Sequence, residues 1–489
     1  MKNTPDLNIC IVGVSRDCFA LSLTDSRLSR VCESLGKKGF KIRRLSTIIE
    51  HEDDTVKALA EAKDMKADAA VVYLGNFGPE GPETIFAKEF GGPVMFCAAA
   101  EETGDGLEDF RGDALCGLLN ASFNLKLRRV SAYIPKDPVG LPDEVADMII
   151  GFAPVARILC GLRKLKIFSF GPRPQDFYAC NAPIGPLYRL GVEVMENSEL
   201  DLLSLYNAVE ENDKEALAVE KDMAAELGRG NNYPGVLGRL ARFEVALMRF
   251  FENNLGTSSY GIFANKCWPS FEEFFGFVPC YVNSRLAARG IPVSCEVDMY
   301  GALSEYMCQL ASLKPATILD INNTVPADMV KGKDLMGCAP GDLFMGFHCG
   351  NTCSACLDNY SMKYQKIMKN NLEPDGEPDI TRGTIEGKIK PGKVTVFRLQ
   401  GDIESSLMSY VAEGNVLDIE PRTFGSIGVI AVPGMKRLYR NVLIEKGFPH
   451  HSAIAFDHVA AGLFDAVKLL GVGDISFPRE SLYPGENPF

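Results

Sequence analysis

Residues 69–97 read AAVVYLGNFGPEGPETIFAKEFGGPVMFC. Ala69–Leu74 is apolar without alternation, the pattern of a strand buried on both faces. Glu80–Phe90 carries helical periodicity, and Pro93–Cys97 is a second apolar run after a Gly-Gly-Pro break. Strand, helix and strand in this order predict parallel pairing, because a helical crossover returns the chain to the same end of the sheet. The alternation extends back through Thr55–Ala67 (helical), Ile42–Leu45 (strand), amphipathic Leu21–Leu35 and apolar Ile9–Val14. Residues 1–159 are therefore expected to form a doubly wound α/β domain.

The pattern restarts at Leu165–Gly171, a strand ending in a Gly/Pro turn. Helical periodicity follows at Glu199–Val209, Lys214–Leu227 and Leu237–Leu255, and Pro292–Leu313 reads as a strand end running into a helix. This predicts a second α/β domain over 160–315, carrying Glu296. Beyond about residue 370 the texture changes to Gly- and Pro-punctuated, β-branched segments: Thr384–Ile389, Lys393–Leu399, Leu407–Val411 and Gly425–Val432. These suit an antiparallel sheet or small barrel. A helix at His458–Leu470 precedes an irregular, Pro-rich tail. The expected architecture is α/β: two doubly wound parallel-sheet domains, then a mainly antiparallel β domain over 316–489 carrying Asp320, His348 and His451.

Bulk chemistry removes several function classes. The formal net charge of −13 argues against non-specific nucleic-acid binding, which needs a basic face, and against an anionic membrane surface. The start MKNTPDLNICIVGV has too short an apolar run, with Asp6 before it, for an export signal. Met148–Leu162 is apolar but carries Arg157, and is read as a buried helix. Fifteen cysteines without framework spacing point to reduced thiols and a cytoplasmic location. Gly13 alone near the first strand makes no dinucleotide fingerprint, and no Walker motif occurs, so no nucleotide cofactor is expected.

Histidine is scarce: His51, His348, His450, His451 and His458. Two are adjacent in Phe448-Pro449-His450-His451-Ser452, before a strand-like run, where alternation would let one of the pair enter a given site. A second constellation is Ser294-Cys295-Glu296-Val297-Asp298, at a strand-to-helix junction; Asp320 ends the next apolar run and Asn322 and Asn323 follow it. Carboxylates at the ends of neighbouring strands would face one crevice. Alternatively, Glu296 or Asp298 serves as a helix N-cap or first-turn acid. Two carboxylates and a neutral imidazole suit Mn²⁺ or Mg²⁺ with open positions for substrate oxygens. Such a set can move a proton between C1 and C2 of an open-chain sugar, with the metal stabilising an enediolate.

These residues carry a resemblance. Cys295-Glu296-Val297-Asp298-Met299-Tyr300-Gly301-Ala302-Leu303, followed by Ile318-Leu319-Asp320-Ile321-Asn322-Asn323, resembles the L-fucose isomerase family, relatives of which include L-arabinose isomerases. The resemblance implies a metal-dependent aldose–ketose isomerase with Glu296 and Asp320, 24 positions apart, as ligands and acid/base groups. It implies His451 as the third ligand, with His450 as the fallback, and Mn²⁺, or Mg²⁺ or Co²⁺, as the ion. His348, 28 positions after Asp320, is either a fourth ligand or a hydrogen-bond donor to substrate. Val12–Asp17 resembles the family's first strand and turn, which implies that Arg16 approaches sugar oxygens from a neighbouring subunit. Lys266-Cys267-Trp268-Pro269 resembles its substrate-side loop; Trp268, the only tryptophan, stacks on sugar or fills the core. Asn323 is a further substrate-side candidate. The resemblance also implies a trimer or hexamer with intersubunit sites and a small sugar as substrate: L-fucose, D-arabinose, L-arabinose or a modified aldose such as a sulfonated hexose. Arg16 and Arg173 are the loop cations to examine for an anionic group.

Two other readings stand beside this one. Paired α/β lobes also build non-catalytic sugar-binding or regulatory proteins, which need no metal. Cys349, Cys353 and Cys356 spell C-x₃-C-x₂-C, the spacing of radical enzymes that hold an iron–sulfur cluster. Only 133 residues follow that motif, too few for the partial barrel such enzymes build downstream of it.

Overall fold

The computed structural model describes residues 2–477; the Pro-rich tail beyond them lies outside the described residues. The chain divides into two compact units, residues 5–160 and residues 2–4 with 161–477. In the first, β1 (Ile9–Val14), β2 (Arg43–Ile49), β3 (Ala69–Leu74), β4 (Val94–Ala99) and β5 (Val139–Gly140) form a parallel sheet in the order β2-β1-β3-β4-β5. Every residue of β1, β3 and β4 is buried, so their unalternating sequences reflect a sheet covered on both faces. The helix Leu21–Lys37 buries Thr24, Leu28, Val31 and Leu35, one stripe at helical spacing. The helix Pro142–Leu162 is long and apolar enough to cross a membrane by length and composition, yet it buries Val145, Ile149, Phe152 and Val155 completely, as a core helix does.

The second unit holds two sheets. Strands β6 (Leu165–Gly171), β7 (Glu193–Ser198), β8 (Tyr260–Ala264) and β9 (Val293–Ser294) are parallel, in the order β7-β6-β8-β9. The other is a nine-stranded, mostly antiparallel sheet of β10 (Ala316–Asn323), β11 (Leu343–His348), β12 (Leu357–Tyr364), β13 (Arg382–Ile389), β14 (Gly392–Gly401), β15 (Leu407–Leu417), β16 (Ser426–Ala431), β17 (His451–Ala455) and β18 (Asp474–Ser476). Because β15 also pairs with β16, the strands β16-β11-β10-β17-β14-β15 close into a ring, a six-stranded barrel. The predicted fold class is the one observed. One apolar core, including Phe168, Phe243, Phe263, Ile385, Val396 and Ile454, is shared by the parallel sheet and the barrel. A buried guanidinium, Arg285, is held by Glu244 at 2.9 Å, Asp222 at 2.8 Å and Glu226. β11 and β12 escape the sequence reading; β11 is free of polar side chains up to His348 and buried at every position, so it lacks the alternation that marks most antiparallel strands.

Candidate active site

Three adjacent barrel strands bring their polar residues to one place. Asp320 on β10 is the register partner of His451 on β17 and of Phe347 on β11, the residue before His348. Glu296 arrives from elsewhere, on the turn between β9 and the helix Met299–Ser312. The two carboxylates thus come from two different sheets, not from neighbouring strands of one sheet as the spacing suggested. Glu296 and Val297 both adopt left-handed backbone, at φ 58° and 55°, which costs energy for any residue but glycine and most for a β-branched one. Hydrogen bonds from Val297 N–H to the Asn265 carbonyl (2.9 Å) and from Asp298 N–H to the Cys295 carbonyl (3.1 Å) hold the turn. The Asn265 and Asn283 side chains brace each other at 2.9 and 3.0 Å.

His451 Nε2 lies 3.3 Å from Glu296 Oε2 and 3.4 Å from Asp320 Oδ1. Both carboxylate oxygens are buried without a hydrogen-bond partner, and such atoms are costly unless something positive meets them. The other face of the ring is fixed: Nδ1 is 2.9 Å from Asp298 Oδ2 and 3.5 Å from Cys180 Sγ. Asp298 also caps the following helix through Gly301 N–H (2.8 Å) and takes both arms of Arg398 at 2.6 and 2.9 Å. Asp298 is thus the helix cap that its position suggested, and it also orients the imidazole, a role the sequence reading did not offer. Asp298 is 1% and Arg398 0% exposed. Burial opposes ionisation of Asp298, but the Arg398 guanidinium and the His451 ring outweigh it and hold the carboxyl well below its usual range.

Burial pushes Asp320 up to about 6, with His348 and His451 pulling the other way. Burial also works against a charged His451, yet Asp298, Cys180 and Glu296 together keep its pKa well above the ordinary value. His450 does not follow the alternation rule. It sits just before β17 begins, and its Nε2 comes within 3.7 Å of Asp320 Oδ1 beside His451. Burial and the neighbouring His451 lower it to about 4. Ligand atoms within 4.8 Å of one another form three groups among the described residues: Glu296, His450 and His451; Asp320, His348 and His451; and Cys180, Asp298 and His451. His348 Nδ1 accepts the Asn351 N–H at 3.4 Å, which leaves Nε2 to carry a proton. Phe177 packs on both His450 and His451, with ring centroids 5.5 and 6.5 Å away.

The other predicted residues have partners of their own. Asn323 is exposed and donates to Asn322 at 2.7 Å. Trp268 packs on Cys267, Val278, Cys280 and Cys295. Arg16, in the first unit, lies over Phe77 at 5.3 Å and 3.8 Å from Glu80. Arg173 donates through Nε to the Cys180 carbonyl at 3.0 Å. The Cys349, Cys353, Cys356 motif does not gather: Cys353 and Cys356 pack with Ala287, while Cys349 lies by His348. The sequence reading missed Arg398, Cys180 and Phe177.

A buried carboxylate nearby supplies a pH signature. Both oxygens of Glu272 lack a hydrogen-bond partner. Burial raises it to about 8; its own backbone N–H opposes this, and Cys349, Glu199 and Glu373 add to it. Its folded pKa lies above the unfolded value, so its contribution to stability is present at low pH and lost as pH rises from about 4.5 to 8. The stability advantage of Glu272→Gln over the parent chain, read from urea midpoints, should grow across that window. A pH-independent difference would show that Glu272 ionises freely.

Two family models match parts of this chain. Residues 10–163 match the fucose/sulfoquinovose isomerase N-terminal domain, and residues 346–476 match the L-fucose isomerase C-terminal domain. Sulfoquinovose isomerases are similar along much of their length. That of Alkalicoccus urumqiensis is 25% identical over 339 residues, 68% of this chain and 70% of that protein. That of Priestia megaterium (strain ATCC 12872 / QMB1551) is 25% identical over 340 residues, 68% and 69%. That of Clostridium sp. (strain MSTE9) is 23% identical over 345 residues, 68% and 69%.

Proposed function

Since the chain belongs to the L-fucose isomerase family, whose members interconvert aldoses and ketoses, we propose that it does so with a divalent ion held by Glu296, Asp320 and His451. The observation that carries this reading is the pair of buried, partnerless carboxylate oxygens facing one imidazole nitrogen. Oxygen and imidazole donors suit Mn²⁺, Mg²⁺ or Co²⁺. When bound, the ion supplies a Lewis acid that makes the C–H beside a sugar carbonyl more acidic. Glu296 and Asp320 then divide the proton work: one carboxylate removes the C2 proton and the pair returns it at C1. Asp298 holds His451 with Nε2 toward the carboxylates. His348 Nε2 and His450 offer hydrogen bonds to substrate hydroxyls, and Phe177 excludes water from one side.

The relatives and one cation support a reading of the substrate. An open-chain aldose of the fucose or arabinose type fits the donor set. A sulfonated hexose is the second reading, favoured by the sulfoquinovose isomerases above and by Arg173. That half-buried residue spends Nε on Cys180, which touches His451, and its terminal nitrogens have no partner among the described residues. We place the working form as a trimer or hexamer in the cytoplasm. An exposed apolar stripe on the helix Ala114–Leu127 (Leu115, Leu119, Phe123 and Leu127) supports association, and fifteen free cysteines support a reducing compartment.

Chelation tests the proposal. EDTA-treated protein should lose turnover and regain it with Mn²⁺, measured on L-fucose, D-arabinose, L-arabinose and sulfoquinovose. Inactivity across the panel after Mn²⁺ is restored would favour a non-catalytic sugar binder. Activity untouched by exhaustive chelation would remove the metal.

A further inference from the structure

Four cysteines far apart in the chain, Cys267, Cys280, Cys295 and Cys349, meet beside His348. Cys267, Cys280 and Cys295 share one buried cluster under Trp268. The thiols adjoin in a row: Cys295 with Cys267, Cys267 with Cys280, and Cys280 with Cys349. His348 closes it, with Nδ1 3.8 Å from Cys349 Sγ and the ring also adjoining Cys295. Both ends of the row abut the candidate site, since Cys295 precedes Glu296 and Cys349 follows His348.

A row is not a metal cage. A thiolate metal centre gathers its sulfurs around one point, whereas the ligand groups that lie within 4.8 Å of one another all contain His451 and take no thiol from this row. Pairwise neighbours suit disulfide chemistry, which draws two sulfurs to about 2.0 Å. Cys349 is partly exposed and the other three are buried. An imidazole beside the thiol of a half-buried residue, with a second thiol next to it, is the arrangement of a peroxide-sensitive cysteine and its resolving partner.

We propose that Cys349 and Cys280 form a thiol-modification site at which a peroxide installs a disulfide that disables metal binding at Glu296, Asp320 and His451. The Cys349 sulfur attacks the peroxide O–O bond, giving a sulfenic acid and one water. The Cys280 sulfur displaces the sulfenic oxygen, which leaves with the thiol proton as a second water. Two thiols and one hydrogen peroxide thus become one disulfide and two waters. Exchange carries the bond along the row: Cys267 attacks the Cys280 sulfur and frees Cys349, and Cys295 then attacks Cys267 and frees Cys280. The bond formed first pulls on the residue after His348; the bond formed last pulls on the residue before Glu296.

The thiol chemistry stands apart from the isomerase reading, and only its effect on metal rests on that reading. The test treats the full chain with hydrogen peroxide, blocks free thiols, maps linked peptides by mass spectrometry and titrates Mn²⁺ before and after. Cys349 should be found joined to Cys280, or the bond further along the row. Mn²⁺ affinity should fall by about tenfold or more, and dithiothreitol should restore it. Cys280→Ser and Cys280→Ala should keep Mn²⁺ binding at moderate peroxide and leave Cys349 as a sulfenic acid trapped by dimedone. Oxidation confined to the exposed Cys18 and Cys116 would overturn the proposal, and so would a mapped row disulfide with unchanged Mn²⁺ affinity. If the untreated chain binds no Mn²⁺, the metal reading fails, and the peptide map alone decides the thiol chemistry.

Discussion

Glu296→Gln should lower turnover by at least about 10³-fold while the chain stays folded. The substitution keeps side-chain volume and removes one charge from a place where Glu296 Oε2 has no hydrogen-bond donor to lose. It also removes a negative neighbour that helps raise Asp320. The metal-free variant should therefore be no less stable than the parent. The loss should appear in both kcat and Mn²⁺ affinity, since the same carboxylate is assigned to ligation and proton transfer. Steady-state kinetics with excess Mn²⁺, a Mn²⁺ titration and a thermal melt separate these contributions. Near-parental turnover in a well-folded variant would sink the site assignment.

Asp298→Asn should behave in the opposite way toward the fold. Arg398 is fully buried and donates to both oxygens of Asp298; its remaining bonds go to Gln400. Neutralising the carboxylate leaves a guanidinium uncompensated in the interior, at a cost of about 3–5 kcal/mol. The same change loosens His451, whose Nδ1 would keep only the Cys180 sulfur as an undisturbed partner, so Mn²⁺ affinity should drop about 10–100-fold. Adding Arg398→Met separates the two effects. The double variant should recover much of the urea resistance and none of the metal affinity, because Met removes the stranded charge without restoring the orienting carboxylate. Recovery of both would mean that Asp298 acts on the fold alone.

The parts of this molecule legible in sequence are those encoded by local pattern. β1, β3 and β4 are recognisable because burial on both faces leaves no polar position to interrupt them. Glu296 and Asp320 were reachable because a motif of fixed spacing carries them. Closure of the barrel was not legible, since it depends on β15 pairing with β16 as well as β14. The left-handed turn at Glu296 and Val297 gives no glycine to announce it; the strain is met by Asn265, some thirty positions upstream. The cysteines show the same limit. Linear spacing groups Cys349 with Cys353 and Cys356, but folding groups it with Cys280, from a helix start nearly seventy positions earlier. Arg398 sits in a strand in which nearly every residue is buried, and only its carboxylate partner explains a charge there.

Closure of the barrel also bears on how such a protein can diverge. Of the proposed ligands, Asp320 and His451 sit on neighbouring strands of the ring, with the substrate-side His348 on the next strand, and each of β11, β10 and β17 is hydrogen-bonded on both sides within the ring. A one-residue slip in any of them turns its side chain to the opposite face, so a deletion inside these strands is lethal to the site. Length changes outside the ring, such as in residues 324–342 between β10 and β11 or 365–381 between β12 and β13, leave that register untouched. Insertions and deletions can therefore accumulate in the connections, and sugar preference can drift with them, while the ligand set is inherited intact.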